Sequence, residues 1–216
     1  MKGLLIKEYN QLKTTLKAQV FSMILFVALG FVMKNMAYMG MLVMILASNL
    51  AVNSMSQDAA SSWNRYALTL PVTRSDLISV KFIFLYILQV LGILLIMLIA
   101  VPFSVVLKMS LSENILVGAV CGIVTLFCSS LNILMCTKFG VEKARLIMML
   151  TYVVPLLLIY GLYFAVEQAH WIPVETTAHI TEKELYGYLT LAAVFILAVS
   201  AVCWKLSCAV AKKQDW

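Results

Sequence analysis

The chain is 216 residues long, 63% hydrophobic and only 12% charged, with a formal net charge of +6. A soluble domain is nearer half apolar and about a quarter charged, so an ordinary water-solvated fold is excluded, and the apolar surplus falls in runs near the ~20 residues that cross a bilayer. The positive balance is read as membrane topology and not as nucleic-acid binding, because no basic face interleaved with aromatic residues accompanies it.

Residues 1–17 are too polar to span. Leu5, Tyr9, Leu12 and Leu16 share one helical face, and Lys7, Asn10, Thr14 and Lys17 share another. That pattern predicts an interfacial helix with its lysines toward anionic lipid. Apolar runs follow at about Ala18–Met33, Met36–Ser56, Phe82–Leu107, Ile115–Cys136, Leu146–Val166 and Tyr186–Ala209. They predict an all-α, polytopic fold of six transmembrane helices, with residues 1–216 forming a single membrane domain. Only Lys34 and Asn35 separate the first two spans. A second apolar run comes almost at once after the first, with no small-residue cleavage pattern, so a signal peptide is not expected.

Residues 57–81 form a long polar insert between the second and third spans. Asp58 to Leu70 reads as one amphipathic helix. Ala59, Trp63, Tyr66, Ala67 and Leu70 lie on one side, and Asp58, Ser61, Ser62, Arg65 and Thr69 on the other. Pro71 ends it, since proline has no amide donor and disfavours helix in the residue before it. Thr73 with Asp76 three residues on reads as a capping box opening the next helix. One reading of this insert is a loop whose Trp63 and Tyr66 sit at the lipid headgroups.

A second reading comes from the order of the residues. An acidic residue, W-x-R-Y, L-P-V-[ST]-R and a hydrophobic helix succeed one another here as Asp58, Trp63, Arg65, Tyr66, Leu70, Pro71, Val72, Thr73 and Arg74. This resembles the permease subunits of type 2 ABC transporters, in particular the small six-span bacterial branch that includes peptide exporters. The resemblance implies that the insert contains a coupling helix docking on an ATPase subunit, with Asp58, Trp63, Arg65, Tyr66, Leu70, Pro71 and Arg74 as its coupling residues. Arg65 is then a candidate partner for a carboxylate on the ATPase or for Glu142 of the chain's own inner loop. The family layout also has an N-terminal interfacial helix and a partly helical outer insert between the fifth and sixth spans.

With the N-terminus inside, only Lys34, Lys108 and Lys183 of the 16 basic residues fall outside, which places both termini in the cytosol. The outer insert, residues 167–185, carries Glu167, Glu175, Glu182 and Glu184 with His170, His179 and Trp171. Its spacing matches no metal-ligand pattern, so a solvated acidic loop is expected and no metal. Thr181 and Glu184 read as a capping box for the last helix.

Charged groups are almost absent from the span interiors, which argues against a proton-coupled carrier. Asn49, Asn53 and Ser56 form an uncharged stripe on the second span, and Thr125, Ser129 and Asn132 another on the fourth. Either stripe can be helix–helix glue; the first leads into the 57–81 stretch and is the candidate for a translocation path or permease interface. Pro155 should kink the fifth span, where Tyr152, Tyr160 and Tyr163 are either path-lining residues or interface anchors. The 13 methionines suit irregular apolar shapes or ordinary packing. The five cysteines fall in or beside apolar runs, none in a C-x-x-C pair, and read as small packing residues.

No phosphate-binding G-x-x-x-x-G-K-[ST] loop, H-E-x-x-H or nucleophile elbow is present. The chain itself is therefore expected to bind no cofactor and to be no enzyme. The resemblance puts ATP and Mg on a partner ABC ATPase subunit and pairs the chain with a second permease, as homodimer or related heterodimer, in a bacterial cytoplasmic membrane. It points to export of a cytotoxic or amphipathic peptide or a hydrophobic small molecule. The rival is a non-transporting membrane sensor or immunity protein working with an ATPase partner.

Overall fold

A computed structural model describes residues 2–108, 110–141, 143–144, 150–153 and 182–213. Every element among them is an α-helix: α1 (Lys2–Met33), α2 (Met36–Ala60), α3 (Trp63–Ala67), α4 (Arg74–Leu107), α5 (Leu111–Phe139) and α6 (Glu182–Lys213). Five of these are long and apolar enough to cross a membrane: α1 from Thr15 onward, α2, α4, α5 and α6 from Tyr186. The expected fifth span, Leu146–Val166, lies mostly outside the described residues, as do Pro155, His170, Trp171, His179 and the Thr181 cap.

The interfacial stretch 1–17 and the first span are one uninterrupted helix. Between Leu4 and Leu29 there is neither glycine nor proline to break it. It ends where Lys34 adopts a left-handed φ of 51°, and Asn35 starts α2 by accepting the Tyr38 amide on its side chain at 3.0 Å. The two-residue turn lays α1 against α2. Gly30 permits the contact: a Cβ there would come within 2.5 Å of the Met39 Cβ.

α2 is the spine of the bundle and packs against α1, α4 and α5, while α6 covers α4 and α5. Toward the α1–α2 turn, Met36, Met39, Val43 and Met44 interlock with Ile96, Ala100 and Phe103. Toward the other end, Leu50, Ala51 and Val52 meet Phe82, Leu85, Ile133, Cys136 and Cys203. Methionine predominates only on the first of these faces, where its flexible thioether fills the close helix contacts. α1 and α6 bury little of their span surface, so their apolar side chains are left for lipid or another chain.

Uncharged polar residues tie the helices together inside the bundle. Gln89 Nε2 donates to Ser48 Oγ at 2.7 Å, and Ser200 Oγ accepts from Ser130 at 2.9 Å and pairs with the Tyr86 hydroxyl at 2.7 Å. Thr125 and Ser129 are fully buried, with their hydroxyls returned to carbonyls of their own helix. The stripe on α5 is thus interior packing. All five cysteines are buried thiols without a disulfide.

One expected helix is not there. Asp58 to Leu70 is not a single element: α2 runs on through Asp58 to Ala60, and α3 is only the five residues Trp63–Ala67. The break has a local cause. The Ser61 amide and hydroxyl both bond to the Gln57 carbonyl, closing α2, and Ser62 then turns left-handed at φ 53°. Beyond α3 the expected capping box is formed in both directions. The Asp76 amide donates to Thr73 Oγ1 at 3.2 Å, and the Thr73 amide donates to Asp76 Oδ2 at 3.1 Å.

Candidate functional site

The end of the bundle that carries α3 gathers the chain's polar chemistry. α3 is too short to be stable alone; tertiary contacts hold it. Ala67 is fully buried, and with Leu4 of α1 and Leu77 and Val80 of α4 it forms a small apolar cluster. Trp63 and Leu68 pack on this cluster from its edge. The Lys7 ammonium lies 5.0 Å from the centre of the Trp63 ring, within cation–π range.

Directly beneath α3 sits a buried ionic cluster that joins three helices. Glu8 comes from α1, Asp58 from the last turn of α2 and Lys81 from the second turn of α4, and each is at least nine-tenths buried. Lys81 Nζ donates to Glu8 Oε1 at 2.6 Å, to Asp58 Oδ2 at 2.6 Å and to Ser54 Oγ at 2.9 Å. All three ammonium protons are thereby used. Lys7 bonds to Asp58 Oδ1 and to Glu8 Oε1, the latter at 3.2 Å. Gln11 Nε2 adds a donor to Asp58 Oδ1 at 3.1 Å. Two ammonium groups face two carboxylates, so the cluster balances its own charge. A lone buried charge costs far more than a hydrogen-bonded set.

This arrangement fixes α3 at its root. Asp58 is the last charged residue before the chain leaves α2, and its carboxylate is held from α1 and α4 at once. On the far side of α3, Arg74 Nη1 donates to the Lys212 carbonyl at 3.4 Å, tying the start of α4 to the end of α6. A cavity of about 300 Å³ opens between Glu8, Asp58, Trp63, Lys81, Thr137 and Gly140.

The residues singled out from the sequence separate into distinct groups. Tyr66, Leu70, Arg65 and Pro71 are exposed, Trp63 and Arg74 are half-buried, and Asp58 is buried in the ionic cluster. The periodicity that placed Trp63, Tyr66 and Leu70 on one face fails at α3, where Trp63 turns inward while Tyr66 and Leu70 turn outward. Asn53 is exposed on α2, flanked by half-buried Asn49 and Ser56, so this stripe lies away from the interior that holds Ser48. Glu142, the alternative partner of Arg65, lies outside the described residues. Sequence reading missed Lys7, Glu8, Ser54 and Lys81 as a unit. The signal was faint but present: Glu8 and Asp58 are two of the five acidic residues expected on the side of the chain that carries 13 of the 16 basic ones.

A comparison with protein-family models matches the chain over residues 3–212 to the ABC-2 family transporter protein. The chain belongs to the ABC-2 transporter family. The match spans the whole bundle, α3 and the ionic cluster included. This permease is therefore an integral membrane component of an ABC transporter that does not itself hydrolyse ATP. Family membership implies an ABC ATPase partner and usually a dimeric permease. No curated protein and no solved structure matches the permease.

Proposed function

We propose that the permease is the membrane-spanning subunit of an ATP-driven exporter in a bacterial cytoplasmic membrane, with the α3 end and both termini in the cytosol. The observation that carries this reading is the pair Tyr66 and Leu70, exposed at 60% and 40%, the first on a five-residue helix whose root is locked to three long helices and the second in the turn just after it. Exposed aromatic and aliphatic anchors on a firmly held element suit a docking surface. ATP and Mg belong to the ATPase subunit that lands there, with Arg65 beside the anchors to meet a carboxylate. Movement of the ATPase pair is passed through α3 to Asp58 and Lys81, and so to α1, α2 and α4 together. The cargo that best suits a path without charged membrane groups is an amphipathic peptide or a hydrophobic small molecule. A non-transporting sensor or immunity protein would use the same docking surface and move no cargo in vesicles. Retention of the ATPase by Tyr66 variants tests the docking directly.

Orientation gives a further expected result. In a background without the five native cysteines, a single cysteine at exposed Glu113 should react with an impermeant reagent applied to intact cells. One at exposed Leu70 should react only after the membrane is opened. Labelling of position 70 in intact cells would place α3 outside and end the docking proposal.

We also assign the Asn49, Asn53 and Ser56 stripe to a seam between two permeases. An uncharged polar face turned away from its own bundle gains most from a partner that hydrogen-bonds to it. Asn53→Cys should cross-link two copies through a disulfide under oxidation. If it stays monomeric while Val202→Cys, on exposed α6, cross-links efficiently, the seam lies elsewhere.

A further inference from the structure

The sequence pattern sets Lys7 with Lys17 on one face of α1, and the structure separates them. Lys7 turns inward to the ionic cluster, whereas Lys13 and Lys17 are exposed, one turn apart, on a face that continues through Val20, Phe21 and Ile24. Neither of the two meets a carboxylate among the described residues. The single acidic residue of α1, Glu8, is buried in the cluster and cannot balance them. Like charges four residues apart on a helix lie about 6 Å from each other and destabilise it. Beside them, Leu16, Lys17, Val20, Phe21 and Ile24 line a shallow groove of about 440 Å³. Depth puts the lysines at the headgroups. The apolar stretch Thr15–Met33 measures about 28 Å, close to the ~30 Å hydrocarbon layer, so its start marks the edge of that layer. Lys13 stands about 3 Å outside the edge and Lys17 about 3 Å inside it. Helical side chains lean toward the N-terminus, here the headgroup side, which lets Lys17 carry its ammonium out to the level of Lys13. The Lys13 ammonium already leans that way, 5.2 Å from the centre of the Tyr9 ring.

We propose that this face of α1 is a binding site for one anionic phospholipid of the leaflet on the α3 side. Its phosphodiester bridges Lys13 and Lys17, and an acyl chain lies in the groove along Val20, Phe21 and Ile24. The phosphate relieves the repulsion between the two ammonium groups and forms charge-assisted hydrogen bonds with both. Charge selects the class of lipid. A zwitterionic headgroup brings its own cation, which the two lysines repel, whereas a phosphatidylglycerol headgroup brings none. A second copy of the chain suits this face poorly. Related by a two-fold axis along the membrane normal, it would set its own Lys13 and Lys17 at the same depth, and four ammonium groups would meet without a carboxylate. The site lies on the permease alone and does not depend on whether α3 docks an ATPase.

The test places the full chain in vesicles of mixed phosphatidylcholine and phosphatidylglycerol. A trace of probe with a diazirine on its acyl chain, bearing one headgroup or the other, is then photoactivated, and labelled residues are read by mass spectrometry. Label at Val20, Phe21 and Ile24 should be about tenfold or more stronger from the phosphatidylglycerol probe, the ratio that two lysines at a headgroup supply. Lys13→Gln or Lys17→Gln alone should lower that ratio severalfold, and the two together should bring it close to one. Both side chains are exposed, so the bundle should fold as before. Lys205→Gln, which removes an exposed lysine from α6, should leave the ratio at α1 unchanged. Equal labelling by the two probes, a preference that survives in the double variant, or an equal loss in Lys205→Gln would each overturn the proposal. Absence of label from both probes would overturn it too, and Phe21→Cys cross-linking two copies would then give this face to a second chain.

Discussion

Lys81→Met is expected to cost more stability than any other single substitution at this end of the permease. The ammonium is the shared partner of Glu8 and Asp58 and lies 2.6 Å from each. Its removal leaves two buried carboxylates with Lys7, the partly exposed member, as their sole cation within the cluster. Breaking a buried pair in this way typically costs about 3–5 kcal/mol, a large share of the about 5–15 kcal/mol that holds a fold. The variant should accumulate poorly and aggregate in detergent at temperatures the unaltered protein tolerates. Lys7→Met should be milder, because water reaches that side chain and can take over part of its role. The two carboxylates repel each other once Lys81 is gone, so adding Asp58→Asn to Lys81→Met should recover part of the loss. A thermal-aggregation midpoint for Lys81→Met within a degree or two of the unaltered protein would mean that the cluster is not what anchors α3.

The largest functional effect is expected at Tyr66 and Trp63, and the two should fail differently. Tyr66 is exposed and supports nothing but its stacking against Trp63, with ring centres 5.5 Å apart. Tyr66→Ala should therefore leave the permease as stable as before while weakening ATPase attachment by about 2 kcal/mol or more, the usual loss for an aromatic anchor. Trp63 packs inward and carries Lys7 on its ring. Trp63→Ala should leave some ATPase attached, yet uncouple hydrolysis from export because α3 no longer follows Asp58 rigidly. Co-purification of the ATPase, followed by cargo-stimulated hydrolysis, separates the two losses. If α3 were instead a headgroup anchor, neither variant would change ATPase recovery, and Trp171→Ala, in the insert expected on the other side, would behave the same way.

Much of this architecture was readable from the sequence because its causes are local. Run length gave the five described spans. Two residues between Met33 and Met36 left room only for a tight turn, and Thr73 with Asp76 closed its capping box within four residues. The amphipathic helix from Asp58 to Leu70 was misread for the complementary reason. Its periodicity is genuine, but Asp58 obeys Lys7, 51 positions earlier, and Lys81, 23 positions later. No local pattern announces such a partner. Once Asp58 is drawn into α2, Ser61 and Ser62 must turn the chain, and the register of Trp63 relative to Tyr66 changes with it. The inward Trp63 and the outward Tyr66 are therefore products of long-range pairing, and so is the cavity between Trp63 and Glu8.

The unbroken course of α1 has a mechanical consequence. At about 1.5 Å per residue, its 32 residues measure roughly 48 Å end to end, longer than the ~30 Å hydrocarbon layer. It behaves as a lever held at two points: near one tip by Glu8 in the ionic cluster, and near the other by Gly30 pressed on Met39. A tilt imposed at the first point is delivered to the second with no joint in between to absorb it. In the orientation proposed above, the short turn at Lys34 and Asn35, at the other end of α1 from the ionic cluster, is the place where a push on Asp58 would first be felt outside.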